Sequence, residues 1–146
     1  MDDLWPSDIG FDNLRTPILL LLEQAQYLKE KTNGLITAEV VKMISTPNNF
    51  NYTYVLFAQS INYRFRLFDI EYTIDLYPLK LIPDIDIHRE FITLGLFIPN
   101  TLTKITISDE NVFKTILKFL FRANKTRIVI ATILRHIDLA HKDNDI

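Results

Sequence analysis

YRFRLFDIEYTIDLYPLKLI, residues 63–82, carries two strand patterns that disagree in phase. Tyr63, Phe65 and Leu67 share one side of an extended chain, with Arg64 and Arg66 on the other. From Ile70 onward the apolar set is Ile70, Tyr72, Ile74 and Leu76, and the polar set is Asp69, Glu71, Thr73 and Asp75. The parity flips at Phe68–Asp69. A slip of one residue sends every side chain to the opposite face, so a bulge or a turn has to absorb it. A second flip at Leu76–Tyr77, beside Pro78, indicates an edge position or another kink. If the first flip is a hairpin, Arg64 and Arg66 lie opposite Asp69 and Glu71 or their neighbours. Such cross-strand pairs stabilise by roughly 0.2–1 kcal/mol each. Either way, this stretch defines a sheet with one wet face, made of the Arg and Asp/Glu rows, and one aromatic face turned to a core.

The elements on both sides agree with a sheet. Upstream, FNYTYVLFAQS places Tyr52, Tyr54, Leu56 and Ala58 on one face and Thr53, Val55, Phe57 and Gln59 on the other. Apolar on both faces in its middle, it belongs inside the sheet. TPNN (46–49) is turn chemistry, and residues 60–62, with Asn62, form a tight turn. Residues 35–45, LITAEVVKMIS, read as a further strand and LTKITI (102–107) as the last one. Residues 83–100 fit a short helix and an extended segment equally well.

Helices frame the sheet. TPILLLLEQAQYLKEKTNG has Thr16 as N-cap and Pro17 in the first turn, where its missing N–H costs nothing. Ile18, Leu21, Leu22, Ala25 and Leu28 form its apolar side, Lys29 and Lys31 suit its C-terminal dipole, and Gly34 suits a left-handed stop. Ser108 is the expected cap of a second helix, with Asp109 and Glu110 in its first turn and Val112, Phe113, Ile116, Leu117, Leu120 and Phe121 inward. Asn124 is expected to cap a third, with Ile128, Ala131, Leu134 and Ile137 or Asp138 at helical positions. Residues 1–14 read as an arm pinned by Trp5, Ile9 and Phe11, and 141–146 as a frayed tail. The expected fold is one α+β domain, 1–146: an antiparallel sheet of four to six strands with an N-terminal helix and two C-terminal helices, mostly on one face.

Composition narrows the chemistry. The chain has 146 residues, enough to bury roughly two-thirds of its unfolded surface. With no cysteine, thiolate catalysis, disulfides and cysteine zinc sites are out. Three glycines build no phosphate loop, and no serine lies in a G-x-S-x-G elbow. His136 and His141, five apart, do not share a helix face. The acidic N-terminus is not read as a secretory signal, and the longest uncharged run is too short to span a bilayer. A cytoplasmic protein without cofactor or membrane association is expected.

Three candidate sites compete. Asp84, Asp86, His88 and Glu90 in DIDIHRE project to one side of an extended chain, a ligand set for a divalent metal and hence for a small metal-dependent enzyme. The bland alternative is an exposed edge with alternating polar residues. Lys114, Lys118 and Arg122, extended by Lys125 and Arg127, form a basic helix stripe of the kind that contacts nucleic-acid phosphates. It is equally the pattern of a solvated face, and a net charge of −2 disfavours nucleic acid. Finally Arg64, Arg66, Asp69, Glu71 and Asp75, flanked by tyrosines, form a candidate protein-binding surface.

EQAQYLKEKTNGLITAEV, YRFRLFDIEYTIDLYPLKL and NKTRIVIATIL together resemble short uncharacterised proteins scattered in bacterial genomes. Those are built as a helix, a strongly twisted sheet and C-terminal helices. The resemblance spans most of the chain except residues 83–105 and rests on packing patterns. It implies that fold and carries over no functional residue. The arrangement is also similar to the general build of small toxin-immunity and inhibitor proteins. The resulting expectation is a non-enzymatic, immunity-like or regulatory domain that binds another protein through the polar face of its sheet, with homodimerisation through an exposed edge strand as a further option.

Overall fold

The computed structural model describes residues 1–10, 14–96 and 104–144. Helix α1 (Pro17–Lys31) is followed by strands β1 (Thr37–Lys42), β2 (Phe50–Ala58), β3 (Tyr63–Tyr72) and β4 (Leu79–Pro83). Helix α2 (Ile85–Thr93), strand β5 (Ile105–Ile107) and helices α3 (Glu110–Phe121) and α4 (Asn124–Asn144) complete the order. The five strands are antiparallel and lie in sequence order, β1-β2-β3-β4-β5. The α+β arrangement matches the sequence reading, with α2 added.

The stretch from Tyr63 is a single bulged strand, not a hairpin. Tyr54 pairs with Phe68 and Val55 with Arg66, which leaves Leu67 without a partner on β2. The extra residue sits two positions before the expected flip at Phe68–Asp69 is complete. Because of it, Leu67 and Phe68 are both fully buried while Arg66 and Asp69 share the opposite face. The β3–β4 ladder runs on to the Leu67 carbonyl, which accepts the Asp84 N–H at 2.9 Å immediately before α2 begins. The second parity change is a turn: the strand ends at Tyr72, the Leu76 N–H donates to the Thr73 carbonyl at 2.9 Å, and Leu76 takes a φ of 72°. Ile74, expected on the apolar face, is exposed in that turn.

One apolar core lies between the sheet and the helices. Tyr54, Leu56, Ala58, Phe68, Ile70 and Tyr72 meet Leu21 of α1, Ile87 and Phe91 of α2, Phe113 and Leu117 of α3, and Ile133 of α4. The rings of Tyr54 and Phe68 stack at 5.0 Å, and Phe121 tilts against both. Edge and offset contacts of this kind add to the area buried.

Local signals explain most helix ends. Thr16 caps α1, its hydroxyl accepting from the Leu19 N–H, and Asn33 and Gly34 leave it with positive φ. Leu20 and Leu21 are buried, whereas Leu22 is exposed. Asp109, not Ser108, caps α3, accepting the Val112 N–H at 2.9 Å. The inward side of helix α4 is shifted from the one expected: Ile137 and, in part, Leu134 face the core as expected, but Ile128 and Ala131 do not. Val129, Ile133 and Ile137 are buried and Ile128 is exposed. The Thr126 hydroxyl, itself buried, donates to the Leu120 carbonyl at 2.7 Å and ties the first turn of α4 to the end of α3, which sets that phase. In the arm, Trp5 and Ile9 are exposed and pin nothing, and Phe11 lies outside the described residues. Helix α4 runs to Asn144.

Candidate functional site

The face of the sheet turned away from the core gathers most of the residues singled out for binding. Register places Glu39, Val55 and Arg66 in one row, Thr53 and Asp69 in the next, and Asn51, Glu71 and Lys80 beyond them. Asp69 is the hub. Arg66 reaches it over the bulge through two parallel bonds, Nε to Oδ1 at 3.0 Å and Nη2 to Oδ2 at 2.9 Å. The Thr53 hydroxyl donates to Oδ1 at 2.7 Å, and Arg66 Nη2 also donates to the Ile82 carbonyl at 3.3 Å. Two-pronged arginine–carboxylate bonds fix orientation as well as attract. The bulge is what makes this pair possible within one strand, since it moves Asp69 to the Arg66 side.

Two further pairs extend the pattern. Arg64 lies over the Phe57 ring at 4.0 Å and reaches Glu39 at 3.5 Å, so one side chain crosses from β3 over β2 to β1. Lys104, just before β5, bonds Glu71 on β3 at 3.0 Å across β4. Val55, Phe57 and Ile82 lie half-buried among these charges. Arg64, Arg66, Asp69 and Glu71 are thus brought together on one face as expected. Asp75 is not; it is exposed in the turn after β3, at the end of the sheet, beside the 46–49 turn. Glu39, Thr53, Lys80 and Lys104 belong to the face but were not singled out in the sequence. The alternation within β1 contains the signal for Glu39, while Lys104 could be placed only through the pairing of β4 with β5.

The DIDIHRE residues take a different geometry from the one read in the sequence. The segment is helical, so Asp84, Asp86, His88 and Glu90 do not line up along one side. Asp84 is the N-cap of α2 and accepts from the Asp86 and Ile87 N–H groups. Asp86 bonds Lys125 at 2.9 Å; the hydrogen bond and charge of Lys125 hold the Asp86 carboxyl below the ordinary range and raise the lysine in turn. Glu90 accepts the Asn124 N–H at 3.0 and 3.1 Å and so closes the N-terminus of α4 from a different helix. His88 is buried, with neither ring nitrogen hydrogen-bonded. Among the described residues no three His, Asp or Glu side chains are grouped to hold a metal ion.

Lys114, Lys118 and Arg122 do share one side of α3, where they face α1 across a recess. Lys125 does not extend this stripe; it is turned to Asp86 and lies 5.8 Å from the Phe65 ring centre. Among the described residues, no helix is long and apolar enough to cross a membrane. No family model, curated protein or solved structure matches the chain.

Proposed function

We propose that the chain is a non-enzymatic binding domain, immunity-like or regulatory, that engages another protein through the polar face of its sheet. The observation that carries this reading is the ordered charge lattice of Glu39, Arg64, Arg66, Asp69, Glu71 and Lys104 around the half-buried Val55, Phe57 and Ile82. Side chains held in place by mutual bonds lose little freedom on docking, and an apolar centre ringed by charges is the composition of a recognition patch. Alternating signs select a partner with the complementary pattern and repel others. A bacterial, cytoplasmic setting accords with this reading. Asp84, Asp86 and Glu90, the carboxylates most available for catalysis in the sequence, serve instead to cap and pair helices.

The test is capture from a native lysate by the wild-type chain, by an Arg64→Glu/Arg66→Glu variant and by a Lys118→Glu variant, each checked for fold by circular dichroism. A protein retained by wild type and by Lys118→Glu, but lost with the sheet-face variant, is the expected result. A partner indifferent to the sheet-face reversal would remove the sheet from the binding surface.

A further inference from the structure

Between α1 and α3 lies a recess of about 580 Å³ whose charged lining is Arg15, Glu23, Lys31, Lys114, Lys118 and Arg122. A second, partly enclosed cavity of about 160 Å³ adjoins it, walled by Leu28, Leu56, Leu67, Ile130 and the Tyr54 ring. Gln24, Tyr27, Lys31 and Phe121 line both, so the two share a wall.

The cations of the recess are not equivalent. Arg15 is bonded to Glu23 and Glu110, and Lys114 lies 3.6 Å from Glu110. Among the described residues, Lys31, Lys118 and Arg122 have no ion-pair partner. Lys31 ends α1, Lys118 is in the last turn of α3 and Arg122 is its C-cap. The negative ends of both helices favour cations at these positions, but an outward orientation would satisfy that preference equally well. Here all three line one concavity, where their potentials add.

We infer that this cleft binds a small amphiphilic anion, an aryl or short-alkyl carboxylate or phosphate ester. Its apolar body occupies the smaller cavity, and its anionic head lies beside Lys31, Lys118 and Arg122. The volumes support the assignment: an apolar cavity of about 150 Å³ accommodates a benzene ring, and small-molecule sites span roughly 300–1,000 Å³. A nucleic-acid strand fits less well, because it needs an extended basic track, whereas Glu23 and Glu110 flank this one. The site is separate from the open sheet face and stands or falls independently of it.

The probes are 3-phenylpropionate and phenyl phosphate, titrated calorimetrically at low ionic strength, with 3-phenylpropan-1-ol and inorganic phosphate as the two half-ligands. At least one amphiphilic anion is expected to bind about tenfold or more tighter than either half-ligand. Lys118→Glu/Arg122→Glu, at exposed positions, should weaken it by about tenfold or more. Ile130→Phe, which fills the smaller cavity, should weaken it similarly while leaving inorganic phosphate unaffected. The exposed double variant decides the matter if Ile130→Phe does not fold. Absence of binding by both amphiphilic probes overturns the inference. So does binding that the charge reversals leave unchanged, and so does steeply salt-dependent binding confined to a single-stranded oligonucleotide.

Discussion

The two faces of the sheet are made by the same strands and obey different physics. On the covered face, Tyr54 and Phe68 pair across β2 and β3 and are buried under Phe121. One residue further along, Thr53 and Asp69 pair on the open face, where Asp69 gathers Arg66 and the Thr53 hydroxyl. Burial of rings holds the fold, whereas partly exposed ion pairs contribute little stability and mainly set orientation. A surface ordered at so little benefit to the fold is available for recognition, which is why the open face and not the core carries the functional proposal.

Adjacent substitutions offer the largest test of that contrast. Phe68→Ala should cost about 3–5 kcal/mol in denaturant unfolding, and Asp69→Ala on the opposite face about 1 kcal/mol or less. Equal losses would make the open face part of the structural core. Alkaline titration is the next largest effect. Burial pushes the Tyr72 phenol up to about 12, with Tyr52 adding to the rise, and burial followed by the carboxylates of Glu110 and Asp109 does the same for Tyr77. A free tyrosine ionises near ~10, so above that pH the unfolded chain binds fewer protons than the folded one. Stability should therefore be intact below pH ~10 and fall as pH rises through about 12, with Tyr72 and Tyr77 contributing to the loss. Tyr72→Phe should flatten that decline, and thermal melts across this range would show it.

Helix α2 divides in the same way and sharpens the comparison on a smaller scale. Its Glu90 carboxylate holds the Asn124 N–H from outside the core. Glu90→Ala should cost about 1 kcal/mol, and Glu90→Gln less, since an amide oxygen still accepts the bond. On the inner side, His88 buries two unbonded nitrogens. His88→Leu should raise stability by about 1 kcal/mol, because the desolvation of those nitrogens is no longer uncompensated. A loss instead would give the imidazole a role in holding the fold. Chemical denaturation of both variants measures the two effects.

What the chain determines by itself is local. The alternation of β2 and β3, the Thr16 cap with Pro17, the Asn62 turn and the inward face of α3 all follow from neighbours a few residues apart, and all stand in the structure. The missing cysteines and sparse glycines likewise exclude whole chemistries without any coordinates. Tertiary structure decided the places where two local readings were equally good. DIDIHRE alternates like a strand, yet Ile87 and Phe91 also sit at helical spacing. The Asp84 side chain capping the first turn and the core awaiting those two side chains selected the helix. Residues 128–131 are all apolar, so the phase of α4 was open until Thr126 tied it to Leu120. The Arg66–Asp69 pair needed the bulge, and the cleft of Lys31, Lys118 and Arg122 needed α1 beside α3. Periodicity reports which face a residue shares with its neighbours; only packing between distant segments decides what that face meets.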